Sequence, residues 1–358
     1  FKNLIHQILT SSKISFLFLK ILQSLQIENF HFLISVIKSH DNLNKKIYKY
    51  FINHIIIKEM TEKKLYNKKE DNLSDANYEI NFNSGFCKKN DTSQMNRFKN
   101  KFAVVTGANG DFGKFCAEKL AEEGCSVILW DLESTETLKN SLKKRYPNQL
   151  FESHQFNICN EQEVVKHTNL IFSEFKKLDI LFNNAGYQGD FKNTIEYATD
   201  DFQKVMDINV IGAFIVLREV ANIMKKQEPQ GGAIVNTASM AGIGAPPNMI
   251  AYATSKAAVK HMTVIASKDL SPFNIRVNSI SPAFIGPGFM WTRQVELQAK
   301  AGSIYFNEDP NLVAKQMINE VPMKRYGTID EVIDPVLFLL SDESSYITGT
   351  DIKITGGI

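Results

Sequence analysis

The chain has 358 residues, 44% hydrophobic and 22% charged, which is enough for one large buried core. Its formal charge of +2 is uneven, because residues 1–94 carry a net charge of +5 and the remaining residues carry −3. A slightly acidic body argues against nucleic acid as the main partner. The four cysteines form no CxxC pair, which indicates free thiols in a reducing compartment such as the cytoplasm and no metal site.

The chain divides near Met95. Residues 1–94 are rich in Ile, Asn, Lys, Phe and Leu, and they contain no Pro or Trp, one Gly and one Ala. Their two apolar runs, Ile14–Leu22 and Phe30–Ile37, are too short and too interrupted to span a bilayer, so no membrane partner is expected. We interpret residues 1–94 as a leader outside the functional protein. A targeting or membrane-surface segment and a small helical accessory domain are the alternatives.

From Phe102 onward, short apolar strands alternate with helices. We predict strands at Phe102–Thr106, Ser126–Trp130, Phe151–Ile158, Ile180–Asn183, Ala233–Thr237, Arg276–Ile280 and Ile352–Ile354. We predict helices at Phe112–Glu123, Leu138–Tyr146, Val164–Phe175, Phe202–Met224, Ala251–Leu270 and Ile329–Leu340. This alternation predicts an α/β fold for residues 95–358, with one doubly wound parallel sheet of about seven strands and helices on both faces. A ligand is then expected at the switch point, beyond the carboxyl ends of the strands.

The first strand runs into a glycine-rich turn at Thr106–Gly113, and a helix follows. Gly107 and Gly110 allow a tight turn and a close approach to a pyrophosphate, while Gly113 allows the helix to pack against the strand. The helix N-terminus adds unpaired N–H groups. A plain strand-to-helix turn is the alternative. The dinucleotide-binding residues predicted in this turn are Gly107, Asn109, Gly110, Asp111, Phe112 and Gly113.

The second strand leads to Asp131, 18 residues after Gly113. This is about the spacing of the acid that binds the adenine ribose hydroxyls. A carboxylate there repels a 2′-phosphate, and the glycine turn has no Lys or Arg to hold one, so NAD is favoured over NADP. Asp131 also precedes a predicted helix, and capping that helix is an alternative role compatible with the first.

Tyr252 and Lys256 stand four residues apart and share one helical face. An ammonium beside a phenol favours the phenolate, so we expect the pKa of Tyr252 to fall toward working pH. A tyrosine poised in this way exchanges a proton with an alcohol oxygen. Ser239, at the end of the fifth strand, is placed to hydrogen-bond the same oxygen. Taken alone, a Tyr and a Lys at this spacing also occur by chance on ordinary helices.

Taken together, these motifs resemble the short-chain dehydrogenase/reductase family over about residues 96–358. The motifs that carry the resemblance are Thr106–Gly113, Asn183–Gly186, Asn209, Ser239, Tyr252 and Lys256. The resemblance implies a Rossmann-type sheet and an NAD-dependent oxidoreductase that moves a hydride between nicotinamide and a secondary alcohol or ketone. It implies that Tyr252 is the general acid/base, that Lys256 binds the nicotinamide ribose and that Ser239 orients the substrate. It also implies that Asn209 bends its helix and holds a proton-relay water.

The resemblance further implies a homotetramer and a substrate loop near residues 284–325. The additional cofactor contacts that it implies are Asn157, Ile158, Asn184, Ala185, Gly186, Tyr252, Lys256, Pro282 and Ile285. Asp111 stands where the family usually has a glycine, and Asn157 stands where an Asp usually contacts adenine. Pro287 replaces a Thr that binds the carboxamide, a contact that the Ile285 backbone would have to make. We expect these departures to affect affinity more than chemistry.

Within the family, the chain is similar to the subgroup of bacterial xylitol dehydrogenases, or D-xylulose reductases. The stretches that carry this likeness are Asn183–Gly189, Thr237–Gly242, Pro246–Met249, Gly286–Trp291 and Arg293–Gln298. A polyol such as xylitol is therefore the expected substrate, with Gln188 and Asn248 as candidates for binding its hydroxyls. Both residues also fit ordinary solvated loops. The alternatives are a cyclic alcohol, a 3-oxoacyl thioester, or an NAD-binding module without turnover.

Overall fold

The computed structural model describes residues 96–358, and the predictions for residues 1–94 lie outside this range. The described residues form one parallel sheet of seven strands. The strands are β1 (Phe102–Thr106), β2 (Ser126–Asp131), β3 (Phe151–Gln155), β4 (Ile180–Asn183), β5 (Gly232–Thr237), β6 (Ile275–Pro282) and β7 (Asp351–Ile354). Their order is β3-β2-β1-β4-β5-β6-β7, so the direction of winding reverses between β1 and β4. The predicted doubly wound Rossmann-type fold is confirmed.

Ten α-helices accompany the sheet within residues 96–358. They are α1 (Asp111–Glu122), α2 (Glu136–Arg145), α3 (Glu161–Phe175), α4 (Thr199–Met206), α5 (Ala213–Lys226), α6 (Ala241–Gly244), α7 (Ile250–Leu270), α8 (Phe289–Lys300), α9 (Pro310–Glu320) and α10 (Ile329–Leu340). A π-helical turn, Asp207–Gly212, joins α4 to α5. In the same range, no helix is both long enough and apolar enough to cross a membrane.

The helices cover both faces of the sheet because successive residues of a strand point to opposite sides. Val105 of β1 is buried in the cluster that contains residues of α1, α2 and α10. Its neighbour Val104 is buried in the second cluster, with residues of α3, α5 and α7. Full burial of such a side chain contributes about 1.5–3 kcal/mol, so both layers hold β1 at the centre of the sheet.

Three predicted elements differ from the observed ones. The single helix predicted at Phe202–Met224 is divided, because the π-helical turn Asp207–Gly212 separates α4 from α5. The third strand ends at Gln155 rather than at Ile158, because its last ladder bond runs from Phe156 N to Asp131 O and Asn157 then closes a turn by accepting from Cys159 N. The segment 284–325 is not a simple loop, because it contains α8 and α9. These helices form because their apolar residues pack into a core of their own, made of Val295, Ala299, Val313 and Met317 with Phe284, Trp291 and Phe306.

Two histidines with no role in the predicted site meet between β3 and α3. The ring centroids of His154 and His167 are 4.5 Å apart, and His167 also stacks on Phe156 at 4.5 Å. The Nε2 atoms face carboxylates, at 3.0 Å from Glu152 and 3.3 Å from Glu163. Both Nδ1 atoms are buried without a hydrogen-bond partner within residues 96–358. Burial of both rings favours their neutral form.

We expect the fold to lose stability on acidification. Burial lowers the pKa of His154 and of His167. Glu174 opposes this effect at His154, whereas the neighbouring His154 ring adds to it at His167. In the unfolded chain these histidines have an ordinary pKa near 6.5, so on acidification they are protonated before the folded ones. Acidification therefore favours the unfolded state. The two histidines therefore contribute their full stabilisation above about pH 6.5. This stabilisation is lost as the pH falls below that value and through the lowered pKa values of the folded histidines.

Urea midpoints measured from about pH 7.5 to about pH 5 would test this expectation. His167→Gln should flatten the dependence on pH, whereas the same change at the exposed His261 should leave it as in the unmodified protein. An equal dependence of the urea midpoint on pH in all three proteins would mean that groups other than His167 cause the loss of stability in acid.

Candidate active site

The glycine turn between β1 and α1 is built from close backbone contacts. Gly107 has a φ of +62°, and a Cβ on it would lie 2.9 Å from the Cα of Ala185. A Cβ on Gly113 would lie only 2.1 Å from the carbonyl oxygen of Gly107. Gly110 N donates to the same carbonyl at 3.1 Å. The turn therefore packs the start of α1 closely against the end of β1, beside the N-terminus of that helix.

Asp131 fastens this turn to the end of β2. Its carboxylate accepts from Asn109 N at 2.8 Å and from Glu133 N at 2.9 Å. The next helix, α2, has Thr135 as its N-cap, so Asp131 does not cap it, and that alternative is wrong. The carboxylate thus stands beside the glycine turn, where the sequence places the acid for the adenine ribose.

The structure brings Ser239, Tyr252 and Lys256 together beyond β5. The Ser239 hydroxyl faces the Tyr252 hydroxyl closely enough for a hydrogen bond that lowers the pKa of the phenol. The Lys256 Nζ lies 5.6 Å from the centroid of the Tyr252 ring and donates to Thr237 O at 2.7 Å. These three side chains come from the end of β5 and from the first two turns of α7.

The predicted fall of the Tyr252 pKa is wrong for the protein without ligands. Removal of the hydroxyl from water raises the pKa of Tyr252 to about 12, and the bond to Ser239 offsets this rise only in part. The same burial lowers the pKa of Lys256 to about 8, because the ammonium loses its hydration. Desolvation thus outweighs the attraction between the ammonium and the phenolate that the sequence argument considered.

Asn209 lies in the π-helical turn and is buried. Its Oδ1 accepts from Tyr187 N at 2.7 Å, and its Nδ2 donates to Tyr187 O and to Ser255 Oγ, both at 2.9 Å. The amide therefore ties the loop after β4 to α7. A Cβ on Gly186 would lie 3.3 Å from Asn209 Oδ1 and 3.5 Å from Lys256 Nζ, so the same loop passes directly beside the lysine. The relay water stays a prediction.

Comparison with known proteins identifies the family. A family model described as enoyl-(acyl carrier protein) reductase matches residues 107–358. The levodione reductase of Leifsonia aquatica is 32% identical over 268 residues, which cover 74% of this chain and 97% of that protein. The chain belongs to the short-chain dehydrogenase/reductase family.

Two further relatives of this dehydrogenase differ in the substrates that they are named for. The 3-oxoacyl-[acyl-carrier-protein] reductase of Thermotoga maritima is 32% identical over 264 residues, covering 73% of this chain and 99% of that protein. The crystal structure of an NAD+-bound xylitol dehydrogenase is 48% identical with a TM-score of 0.70, and it covers 73% of this chain and 99% of that chain. As a short-chain dehydrogenase/reductase, the protein uses a nicotinamide cofactor.

The remaining predicted cofactor residues of this dehydrogenase lie at the carboxyl ends of β1, β3, β4 and β6. Asn184 donates to Thr106 O at 3.3 Å and accepts from Thr237 Oγ1 at 3.1 Å, while Ala185 N donates to Thr106 Oγ1 at 3.0 Å. These bonds join three strand ends. Their direct contact with a cofactor stays a prediction.

The residues beyond β3 and β6 are held by their neighbours in a similar way. Ile158 is buried, in a position where a Cβ on Gly212 would approach it to 3.0 Å. Pro282 O accepts from Met240 N at 3.0 Å. Ile285 pairs with Gly327 through the peptide groups on either side of it, so its own N–H and C=O point away from that partner.

The two substrate candidates differ in their surroundings. Gln188 is 3% exposed, and its Oε1 has no hydrogen-bond partner within residues 96–358. Asn248 donates to Gln298 Oε1 and to Ser303 Oγ, both at 3.0 Å, so its amide N–H groups are already used by the 284–325 segment. Gln188 therefore offers a buried acceptor, whereas Asn248 anchors a helix.

Sequence reasoning missed how the 284–325 segment is attached to this dehydrogenase. Arg293 of α8 donates to Gly189 O at 3.3 Å, next to Gln188. Asp111 turns its carboxylate toward α8, where it accepts from Phe289 N at 3.2 Å, and its predicted place in the cofactor site stays a prediction. Phe112 packs against the core. The helical spacing of Trp291, Val295 and Ala299, which pack into the core of this segment, is a signal for α8 that the sequence analysis did not use.

Proposed function

We propose that this dehydrogenase transfers a hydride between NAD and a secondary alcohol of a polyol, with xylitol and D-xylulose as the substrate pair. The observation that carries the proposal is the convergence of Ser239, Tyr252 and Lys256 next to the loop at Gly186. The 48% identity to an NAD+-bound xylitol dehydrogenase supports the choice of polyol and of NAD.

The residues of the glycine turn fit a dinucleotide. Gly107 and Gly113 pack the turn so closely that a Cβ on either would clash with backbone atoms, and this packing holds the N-terminus of α1 beside the turn. The unpaired N–H groups of that helix N-terminus would bind the pyrophosphate. Asp131, at the end of β2, would accept hydrogen bonds from the ribose hydroxyls, and Lys256 would bind the nicotinamide ribose. When bound, the nicotinamide accepts or supplies the hydride.

The chain's own groups handle the proton. In oxidation, the Tyr252 phenolate takes the proton of the alcohol hydroxyl; in reduction, the phenol gives its proton to the carbonyl oxygen. Ser239 donates a hydrogen bond to the same substrate oxygen and stabilises the charge that develops there. Because the pKa of Tyr252 is about 12 in the free protein, oxidation depends on a charged Lys256 to make the phenolate accessible.

We propose that Gln188 receives one hydroxyl of the polyol. A buried acceptor without a donor costs about 1–3 kcal/mol, and a substrate O–H would satisfy it. Asn248, whose N–H groups are engaged by Gln298 and Ser303, would act on the substrate only by holding α8 in place.

Absorbance of the reduced nicotinamide would test the proposed reaction. Full-length protein and residues 95–358 would be assayed with xylitol, a cyclic secondary alcohol and a 3-oxoacyl thioester, each with NAD(H) and NADP(H). We expect xylitol with NAD to give the highest kcat/KM. Preference for the thioester would favour the function of the Thermotoga maritima relative. NAD binding without turnover of any substrate would indicate a binding module.

Asp131→Asn is expected to weaken the preference for NAD. The amide keeps acceptor capacity for a ribose hydroxyl but loses the charge that repels a 2′-phosphate. The ratio of kcat/KM for NAD to that for NADP should fall by at least about tenfold, which corresponds to about 1.4 kcal/mol. Glu133→Gln, which removes a neighbouring charge, is the matched control. An unchanged ratio in Asp131→Asn would remove this residue from the cofactor site.

The homotetramer, the cytoplasmic location and the leader at residues 1–94 stay predictions. Comparing the full-length chain with residues 95–358 in the assay above would decide whether the leader contributes to turnover.

A further inference from the structure

Asp111 lies where two helices begin. It is the first residue of α1, and its Oδ2 accepts a hydrogen bond at 3.2 Å from the backbone N–H of Phe289, the first residue of α8. A Cβ on Gly288 would lie 2.6 Å from the same oxygen, so the carboxylate touches the backbone at the N-cap of α8. The Asp111 side chain therefore joins the cofactor turn to α8, although Asp111 and Phe289 are 178 positions apart in sequence.

The rest of α8 is fastened to the substrate side of the cleft. Arg293 donates to Gly189 O at 3.3 Å, and Gln298 accepts from Asn248 at 3.0 Å. Gly189 follows the proposed substrate ligand Gln188, and Asn248 stands just before the helix of Tyr252. Helix α8 thus spans from the cofactor turn to the substrate loops, and Asp111 is its attachment on the cofactor side.

We propose that Asp111 is a positioning residue that couples cofactor binding to the placement of α8 over the substrate. A carboxylate at the first residue of α1 is repelled by a pyrophosphate bound at that helix N-terminus. The hydrogen bond from Phe289 N–H stabilises the carboxylate in an orientation toward α8. Bound cofactor therefore strengthens the bond between Asp111 and α8. In the free protein, the same bond keeps α8 near its working position.

The inference rests on the proposed dinucleotide site, but its test does not require the proposed substrate. Amide hydrogen exchange would be measured over residues 288–300, with and without NAD. Asp111→Ala removes the acceptor, whereas Asp111→Asn keeps an oxygen for Phe289 N–H and removes only the charge. Phe289→Pro removes the donor at a helix position that tolerates proline, and Phe289→Ala keeps the donor while deleting the exposed ring.

Without ligand, we expect exchange over residues 288–300 to be roughly 2- to 10-fold faster in Asp111→Ala and Phe289→Pro than in their matched controls, as befits one lost hydrogen bond. We expect NAD to slow this exchange in the unmodified protein but not in Asp111→Ala. We expect both Asp111 variants to bind NAD more tightly than the unmodified protein, because each lacks the carboxylate beside the phosphates.

If xylitol is the substrate, its KM should rise in Asp111→Ala but not in Asp111→Asn. Exchange at residues 288–300 that is equal in all four variants would overturn the inference. Failure of xylitol to react would instead overturn the proposed substrate, and the exchange result would still stand.

Discussion

Replacing Tyr252 with phenylalanine should lower kcat about 10²- to 10⁴-fold, the usual worth of a positioned general acid or base. The substitution removes one hydroxyl and keeps the ring, so NAD binding should survive. In the unmodified protein, the rate of oxidation should rise with pH up to about pH 8, because the phenolate is the reactive form and Lys256, whose pKa is about 8, keeps its charge up to there. The small residual activity of Tyr252→Phe should lack this dependence.

Tyr346→Phe provides a matched control, since the Tyr346 side chain is 100% exposed. Initial rates with the preferred alcohol, together with NAD affinity from quenching of protein fluorescence, would separate catalysis from binding. Tyr252→Phe turning over like the control would exclude Tyr252 as the proton-transfer residue. The family assignment would remain, because it does not depend on this residue alone.

Gly113→Ala should destabilise the protein and abolish tight cofactor binding together. The added Cβ would lie 2.1 Å from the carbonyl oxygen of Gly107, and backbone atoms of Gly107 and Ala108 also lie within 3 Å, so no flexible side chain can move aside. Overpacking of this kind costs about 1–3 kcal/mol, and the shift of α1 would distort the turn that is proposed to receive the pyrophosphate.

Gly110→Ala is the control for this prediction, because its Cβ would find its nearest neighbour at 3.4 Å, an ordinary contact. Urea unfolding should give a lower free energy of unfolding for Gly113→Ala and a nearly unchanged value for Gly110→Ala. Equal stabilities of the two variants would mean that α1 can move away from β1 more easily than the packing suggests.

The sequence predicted the layers of the fold well because each layer has a local signature. Short apolar strands such as Ile180–Asn183 and helices such as Ile329–Leu340 were predicted with the observed bounds, since buried strands and capped helices show their period and their ends in the residues themselves. The prediction of a loop at residues 284–325 was wrong for the opposite reason. The core that stabilises the helices of this segment is made by residues up to 33 positions apart.

Electrostatics in the site depends on burial, which no spacing rule provides. Tyr252 and Lys256 were predicted to lie on one helical face, and they do, but the sequence argument weighed only their mutual attraction. Desolvation by the surrounding chain raises the pKa of Tyr252 and lowers that of Lys256. A pKa depends on solvent exclusion by the whole fold, and only the assembled structure contains that information.

The sequence by itself determined the sheet, the glycine turn and the residue types of the site, because strand and helix periods and backbone freedom at glycine are local properties. Only the tertiary structure decided which partners those residues have. Asp131 was assigned correctly to the end of β2, yet its bond to Asn109 N depends on how β1 and β2 align. The contact between Asp111 and Phe289 joins two helix starts far apart in the chain, so no local pattern encodes it.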